Sequence, residues 1–119
     1  MRVGIAKSRS GPWRTVRVLV DTGADDTVLP RRVLRAVGVE SVGTRTFRVG
    51  DRRLITRELG DVFVRYDGEV APTTVVFGGP RDFAVLGALT LEELHLVVDP
   101  KARRLRKRRE LLFVAAVPP

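Results

Sequence analysis

VLVDTGADDTVLP, residues 18–30, decides how the rest of the chain is read. Three apolar residues run straight into Asp21-Thr22-Gly23, and two further acids, Asp25 and Asp26, follow at once. Upstream, residues 13–20 alternate, so that Val16, Val18 and Val20 share one face of an expected strand. This strand reads as core and yet delivers a carboxylate at its end, where Gly23 lets the chain turn sharply. Downstream, Leu29-Pro30 opens an expected short helix with Val33, Leu34 and Val37 on one face and Gly38 at its end.

Composition removes several kinds of chemistry. The chain has 119 residues, which favours one domain with a modest core. It is 44% hydrophobic and 30% charged, the balance of a globular protein. Cysteine is absent and His95 is the only histidine, so a zinc site, a Ser-His-Asp triad and a Cys-His pair each lack a necessary residue. No disulfide and no thiolate metal site is expected. The start, MRVGIAKSRS, has no apolar run of signal-peptide length, and no stretch approaches the ~18 apolar residues of a membrane span. The expected location is the cytoplasm. Asn and Gln are absent throughout, which fits heat adaptation or biased base composition equally.

The formal net charge is +8, from 22 Lys and Arg against 14 Asp and Glu. Seven of the nine residues in KARRLRKRR, 101–109, are basic. Such a run can bind phosphates, but a solvated face or a charged edge strand is the favoured reading. No aromatic residue interleaves with it, which counts against single-strand nucleic-acid binding.

The remaining pattern is mostly extended. Val3 and Ile5 mark a first strand, and RSGP (9–12) a turn. Residues 44–59 read as a hairpin turning at VGDR (49–52). Residues 61–66 and 70–77 form another expected pair, joined at Asp67-Gly68, with Pro72 marking an edge or bulge. FAVLG (83–87) reads as a short buried strand after the GGP break. Thr90 is the expected cap of a brief helix, TLEELH, with Glu93 completing a capping box. LVVDP (96–100) is a strand and its stop, and the tail LLFVAAV (111–117) is apolar and β-prone. The class is all-β with one or two short helices.

A single carboxylate is a poor catalyst of peptide hydrolysis. Two carboxylates about 3 Å apart share a proton, so that one takes a proton from water while the other donates to the carbonyl. Asp-Thr-Gly alone is a weak motif, and an Asp at a strand end is often only a turn residue. Its flanks add more. The stretch resembles the retroviral-type aspartic proteases, the retropepsin-like family, whose signature is two apolar residues, Asp, Thr or Ser, Gly, and Ala or Ser. A second element of that family, two apolar residues and a Gly before a short helix, is matched by AVLGALTLEEL (84–94). The hairpin at 44–59 occupies the place of the family's flap. The resemblance covers roughly residues 13–99, within a single protease domain at 1–119 whose tail, 100–119, is basic and then apolar.

The resemblance implies a single-lobe retropepsin-like acid protease fold and a homodimeric aspartic endopeptidase that needs no metal and no organic cofactor. The sequence has no second Asp-Thr/Ser-Gly, so the partner of catalytic Asp21 is expected to be Asp21 of another copy. Thr22, Gly23 and Ala24 would complete the active-site loop. Asp25 and Asp26, with Val49, Gly50 and Asp51 of the flap, would contact a peptide or protein substrate. Leu86 and Gly87 would support the loop. For Asp25 and Asp26 a solvated or structural role is the competing reading. Two departures stand out. Viral members follow the second Gly with Arg, which pairs with the acid matching Asp25, whereas this chain has Ala88. The flap tip, VGDRR, is charged and has one glycine where viral flaps are Gly-rich. Two other functions compete: a non-catalytic, protease-like peptide-binding or dimerisation module, and nucleic-acid binding through residues 101–109.

Overall fold

The alternation of Val3 and Ile5 with more exposed neighbours makes the first strand, β1 (Arg2–Ala6). It pairs antiparallel with β2 (Arg14–Arg17), in which Val16 turns inward. The computed structural model describes residues 1–101 and 104–113. After Val18 comes β3 (Leu19–Val20), then β4 (Thr27–Pro30) and the helix α1 (Arg31–Ala36). The strands β5 (Gly43–Val49), β6 (Arg53–Tyr66), β7 (Glu69–Gly78) and β8 (Val85–Leu86) follow. The helix α2 (Ala88–Glu93) and the strands β9 (Leu96–Asp99) and β10 (Arg104–Lys107) complete the order.

Hydrogen bonding links the main sheet in the order β2-β1-β6-β7-β4-β8-β3, with β5 joined to β6 off that path. The two ends of the path, β2 and β3, are consecutive pieces of chain separated by Val18 alone. The sheet must therefore curl back on itself, and it forms a nearly closed barrel. Val18 is the corner: its side chain is buried and its N–H donates to the carbonyl of Met1 at 2.9 Å. The interior is filled by aliphatic side chains, Ile5, Leu29, Val62, Val64, Val75 and Leu86 among them. Leu34 of α1 and Leu91 and Leu94 at α2 belong to the same buried cluster.

Local signals explain α1 well. Pro30 precedes it with an extended ψ of 136°, and Val33 and Leu34 are its buried pair. Gly38, at φ 84°, donates to the carbonyl of Arg35 while Val39 donates to Leu34, so the last turn closes with a left-handed glycine. Elsewhere the tertiary structure overrides the pattern. Residues 27–30 form a strand rather than a helix entry because β4 has partners on both sides, β7 parallel and β8 antiparallel. The expected hairpin arm and the following strand are one 14-residue strand, β6. Gly60 does not interrupt it. A Cβ there would lie 2.8 Å from Val39 Cγ1 and 2.9 Å from Phe77 Cε1, so this glycine serves close packing.

Pro72 sits where β7 pairs with β6 but not yet with β4, whose pairing begins at Val75, so it occupies an open edge. The run at 83–87 shortens to Val85–Leu86, and Phe83 is 75% exposed, contrary to a wholly buried strand. The basic run contributes β10, which pairs with β9 as a separate two-stranded sheet. Leu105 packs on the core while Arg104 and Arg106 are exposed, giving a charged edge strand. Arg106 approaches Asp99 at 3.9 Å, and Lys107 approaches Glu69 at 3.9 Å and Asp67 at 4.0 Å, so part of the positive charge is offset. Residues 102 and 103 of that run, and 114–117 of the apolar tail, lie outside the described residues. Leu111, Leu112 and Phe113 are exposed and form no strand. Among the described residues no helix is long and apolar enough to cross a membrane.

Candidate active site

The short strand β3 runs parallel to β8, with Leu19 opposite Val85 and Val20 opposite Leu86. The Asp21 N–H extends this ladder by donating to the Leu86 carbonyl at 3.1 Å. The chain then turns at once. Ala24 N–H donates to the Asp21 carbonyl at 3.2 Å, and Gly23 N–H donates to Asp21 Oδ1 at 2.9 Å. Asp21 is thus fixed through its backbone while Asp21, Thr22 and Gly23 all remain exposed.

The other side of the loop rests on the start of α2. Ala88 N–H donates to the Ala24 carbonyl at 2.8 Å and Leu89 N–H to the Asp25 carbonyl at 3.2 Å. These bonds occupy two amides that the first turn of a helix leaves without intrahelical acceptors. They also bring two backbones so close that a Cβ at Gly87 would lie 2.5 Å from the Asp26 carbonyl oxygen. Leu86 and Gly87 therefore touch the 21–26 loop directly, one through its carbonyl and the other by having no side chain.

Beside the loop lies a groove of about 460 Å³. Gly23, Ala24, Asp25 and Asp26 form one wall, and Phe47, Arg48, Val49 and Ile55 of the β5–β6 hairpin form another. The hairpin closes with Val49 opposite Arg53, leaving Gly50, Asp51 and Arg52 as its exposed tip. Gly50 and Arg52 both take positive φ, 34° and 70°. Of the residues expected to meet substrate, Asp25, Asp26 and Val49 line this groove. Gly50 and Asp51 sit at the tip, off its wall. Asp26, whose side chain is 15% exposed, accepts from Arg45 Nη1 at 3.1 Å. The arginine missing at Ala88 thus has a substitute on β5, but it serves Asp26 rather than Asp25.

Four further lining residues had no signal in the sequence: Arg57, Arg81, Asp82 and Phe83. Arg57 Nε donates to Asp82 Oδ2 at 2.9 Å across the groove's far end. A larger hollow of about 670 Å³ lies elsewhere, lined by Phe63, Pro72 and Glu93 among others. It reaches Asp26 but not Asp21, so it is not centred on the loop. Among the described residues no group of three or more His, Cys, Asp or Glu side chains converges to hold a metal ion.

Neither a protein-family model nor any curated protein matches the sequence. Solved structures do match. The retroviral protease-like domain of Ddi1 from Leishmania major is similar over 92% of this chain and 88% of that one, with a TM-score of 0.54 and 20% identity. The chain has the retropepsin-like fold. A retropepsin-like aspartic protease from Rickettsia conorii matches 76% of this chain and 79% of that one, with a TM-score of 0.48 and 22% identity.

Within this retropepsin-like fold a chain of buried hydroxyls ties the loop to the barrel. Gly87 N–H donates to Thr27 Oγ1 at 3.0 Å, and Thr27 Oγ1 lies 2.6 Å from Thr90 Oγ1. Thr90 Oγ1 lies 2.8 Å from Thr73 Oγ1, which donates to Glu93 Oε1 at 2.9 Å. Each hydroxyl has one proton, so the order of donation is fixed from Glu93 backwards: Thr90 donates to Thr73, and Thr27 donates to Thr90. Thr90 is consequently not the cap of α2. The N-cap position is Gly87, and Thr90 lies inside the helix, fully buried. Glu93 accepts from Thr73 instead of closing a capping box.

Two stability effects follow from these contacts. Thr90→Val keeps the shape but strands the Thr27 donor and leaves Thr73 one partner short, so it should cost about 1–3 kcal/mol. Thr90→Ser should recover most of that, as read by urea denaturation of the three proteins. Asp82 concerns pH. Its hydrogen bond from Arg57 holds the carboxyl below the usual carboxylate range; partial burial opposes this, and the Gly79 N–H adds to it. A lowered folded-state pKa stabilises the fold above the unfolded value, and that stabilisation is lost as pH falls through the folded value. The Arg57 and Asp82 side chains are 26% and 29% exposed, so the effect should stay below about 1 kcal/mol. Wild type should exceed Asp82→Asn by a constant margin above about pH 5, and the margin should shrink below about pH 4. Denaturant midpoints across pH measure it.

Proposed function

We propose that the chain is an aspartic endopeptidase that works as a homodimer. Asp21 is the catalytic carboxylate of each copy, and Thr22, Gly23 and Ala24 shape its loop. Two copies would bring their Asp21 carboxylates together around one shared proton. The ionised member would take a proton from water, and the protonated member would donate to the scissile carbonyl as the water attacks. The observation that supports this best is the paradox of Asp21. Its backbone is held by Leu86 and Ala24, yet the side chain stands in the open beside a groove large enough for peptide side chains.

The surroundings of the loop favour a second copy there. Leu19, next to it, is 60% exposed and Val98 is 40% exposed. Met1, Val20, Thr22, Tyr66, Val98 and Leu105, with Arg2 and Arg104, border a hollow of about 570 Å³ that reaches the loop at Thr22. A solvent-facing, partly apolar surface beside an incomplete dyad is what a two-fold partner would cover. The exposed Leu111, Leu112 and Phe113 are further candidates for that interface.

Asp21→Asn should lower hydrolysis of a diverse peptide mixture by about 10³-fold or more while leaving the melting transition nearly unchanged. Cleavage at the wild-type rate by the purified variant would reject the assignment. If neither protein cleaves but both retain peptide, the domain is a binding module. Specific activity should also fall on dilution through the range in which sedimentation shows dimers separating. Full activity from a strict monomer would contradict the shared dyad.

A further inference from the structure

The groove holds six charged side chains: Asp25, Asp26, Asp82, Arg48, Arg57 and Arg81. Two of the acids are already neutralised. Asp82 is held by Arg57 and by the Gly79 N–H, and Asp26 is held by Arg45. Among the described residues, Arg48 and Arg81 make no ion pair or side-chain hydrogen bond. Among the lining residues, what remains to face an occupant is two guanidinium groups against one carboxylate, Asp25.

The setting strengthens this excess. Val28, Phe47, Ile55, Val76 and Val85 line the groove with apolar surface. Charges beside low-dielectric walls reach further than they do in open water. Arg81 is two residues from Phe83, which is 75% exposed and lines the same groove. A guanidinium fork close to an uncovered apolar face fits a side chain with an aliphatic stem and a terminal carboxylate. The net charge of +8 steers acidic partners toward the molecule as a whole.

We infer that the groove selects peptides carrying an acidic side chain in an otherwise apolar segment, with Arg48 and Arg81 as the specificity-determining residues. A lysine at the same place would meet the excess positive charge, and a purely apolar segment would leave both guanidinium groups without a partner. This rests on the groove being the peptide site, and it does not depend on turnover.

The test separates the two. Short peptides with Val, Leu and Phe backgrounds carry Glu, Gln or Lys at each position in turn. They are N-acetylated and C-amidated, so that the side chain supplies the only carboxylate. Affinity is measured with Asp21→Asn, and kcat/KM with the wild type. At one or two positions Glu should bind roughly five- to tenfold tighter than Gln, with Lys weakest, and the difference should shrink at high salt. Arg81→Gln and Arg48→Gln should each reduce the Glu preference, and the double Arg→Glu variant should reverse it in favour of Lys, with melting transitions near that of wild type. Equal binding of Glu and Gln peptides at every position overturns the inference. So does a matching gain from a free C-terminal carboxylate without any acidic side chain, because the groove would then read chain ends. Hydrolysis without a Glu preference defeats this inference and keeps the protease reading. A Glu preference without hydrolysis does the opposite.

Discussion

The approach of Gly87 to the backbone of Asp25 and Asp26 is the constraint on which the rest of the structure hangs. With 2.5 Å available to a Cβ, no side chain fits between these two segments. Because they close to that distance, the first amides of α2 reach the carbonyls of Ala24 and Asp25, and the Gly87 amide reaches Thr27. The same contact seats β3 beside β8, so the strand that ends in Asp21 becomes part of the barrel wall. A loop of six residues with three carboxylates would otherwise be free to move. Here its backbone is satisfied from below, and Asp21 is left facing outward.

The polar groups under the loop differ in kind from those above it. Beneath lies the closed relay Gly87–Thr27–Thr90–Thr73–Glu93, buried along most of its length, in which each hydroxyl both gives and receives. Such a network is costly to interrupt because every member depends on its neighbour for compensation. Above lie exposed or half-exposed ion pairs, Arg45–Asp26 and Arg57–Asp82, which hold the hairpin and the 79–83 loop at the groove but contribute little to stability. The base is rigid and the rim adaptable. That division would suit the proposed site, where Asp21 has to stay fixed while the occupant of the groove varies.

One stretch of the barrel surface stays uncovered in the single chain. β6 extends past the barrel to support the hairpin, and the 19–22 segment presents Leu19 and the Asp-Thr-Gly turn to solvent. Burial of such surface is worth roughly 25 cal/mol per Å². A partner covering it would therefore gain affinity from the same residues that complete the proposed dyad.

Much of this was legible in the sequence. The alternation of 13–20, the Asp-Thr-Gly turn, the Val-Leu-Gly segment, the hairpin at 44–59 and the Pro30-to-Gly38 helix all depend on periodicity and on backbone preferences carried by single residues. The sequence also limited the available chemistry, since the absence of cysteine excludes a Cys-His pair and a thiolate metal site. The misreadings have one common cause. Thr90 followed by Glu93 has the spacing of a cap, yet both side chains are claimed by Thr27 and Thr73 from distant strands. Residues 44–59 and 61–66 read as separate segments, yet Gly60 between them lies inside β6 because it pairs with Val75 of β7. Leu29-Pro30 reads as a helix entry, yet residues 27–30 become β4 because β7 and β8 flank them. The pairing of Asp26 with Arg45, the bond between Arg57 and Asp82, and the two arginines left over at the groove are likewise matters of tertiary placement. Sequence spacing encodes what a segment does with its own neighbours; hydrogen bonds and ion pairs between segments far apart in the chain exist only once the barrel has closed.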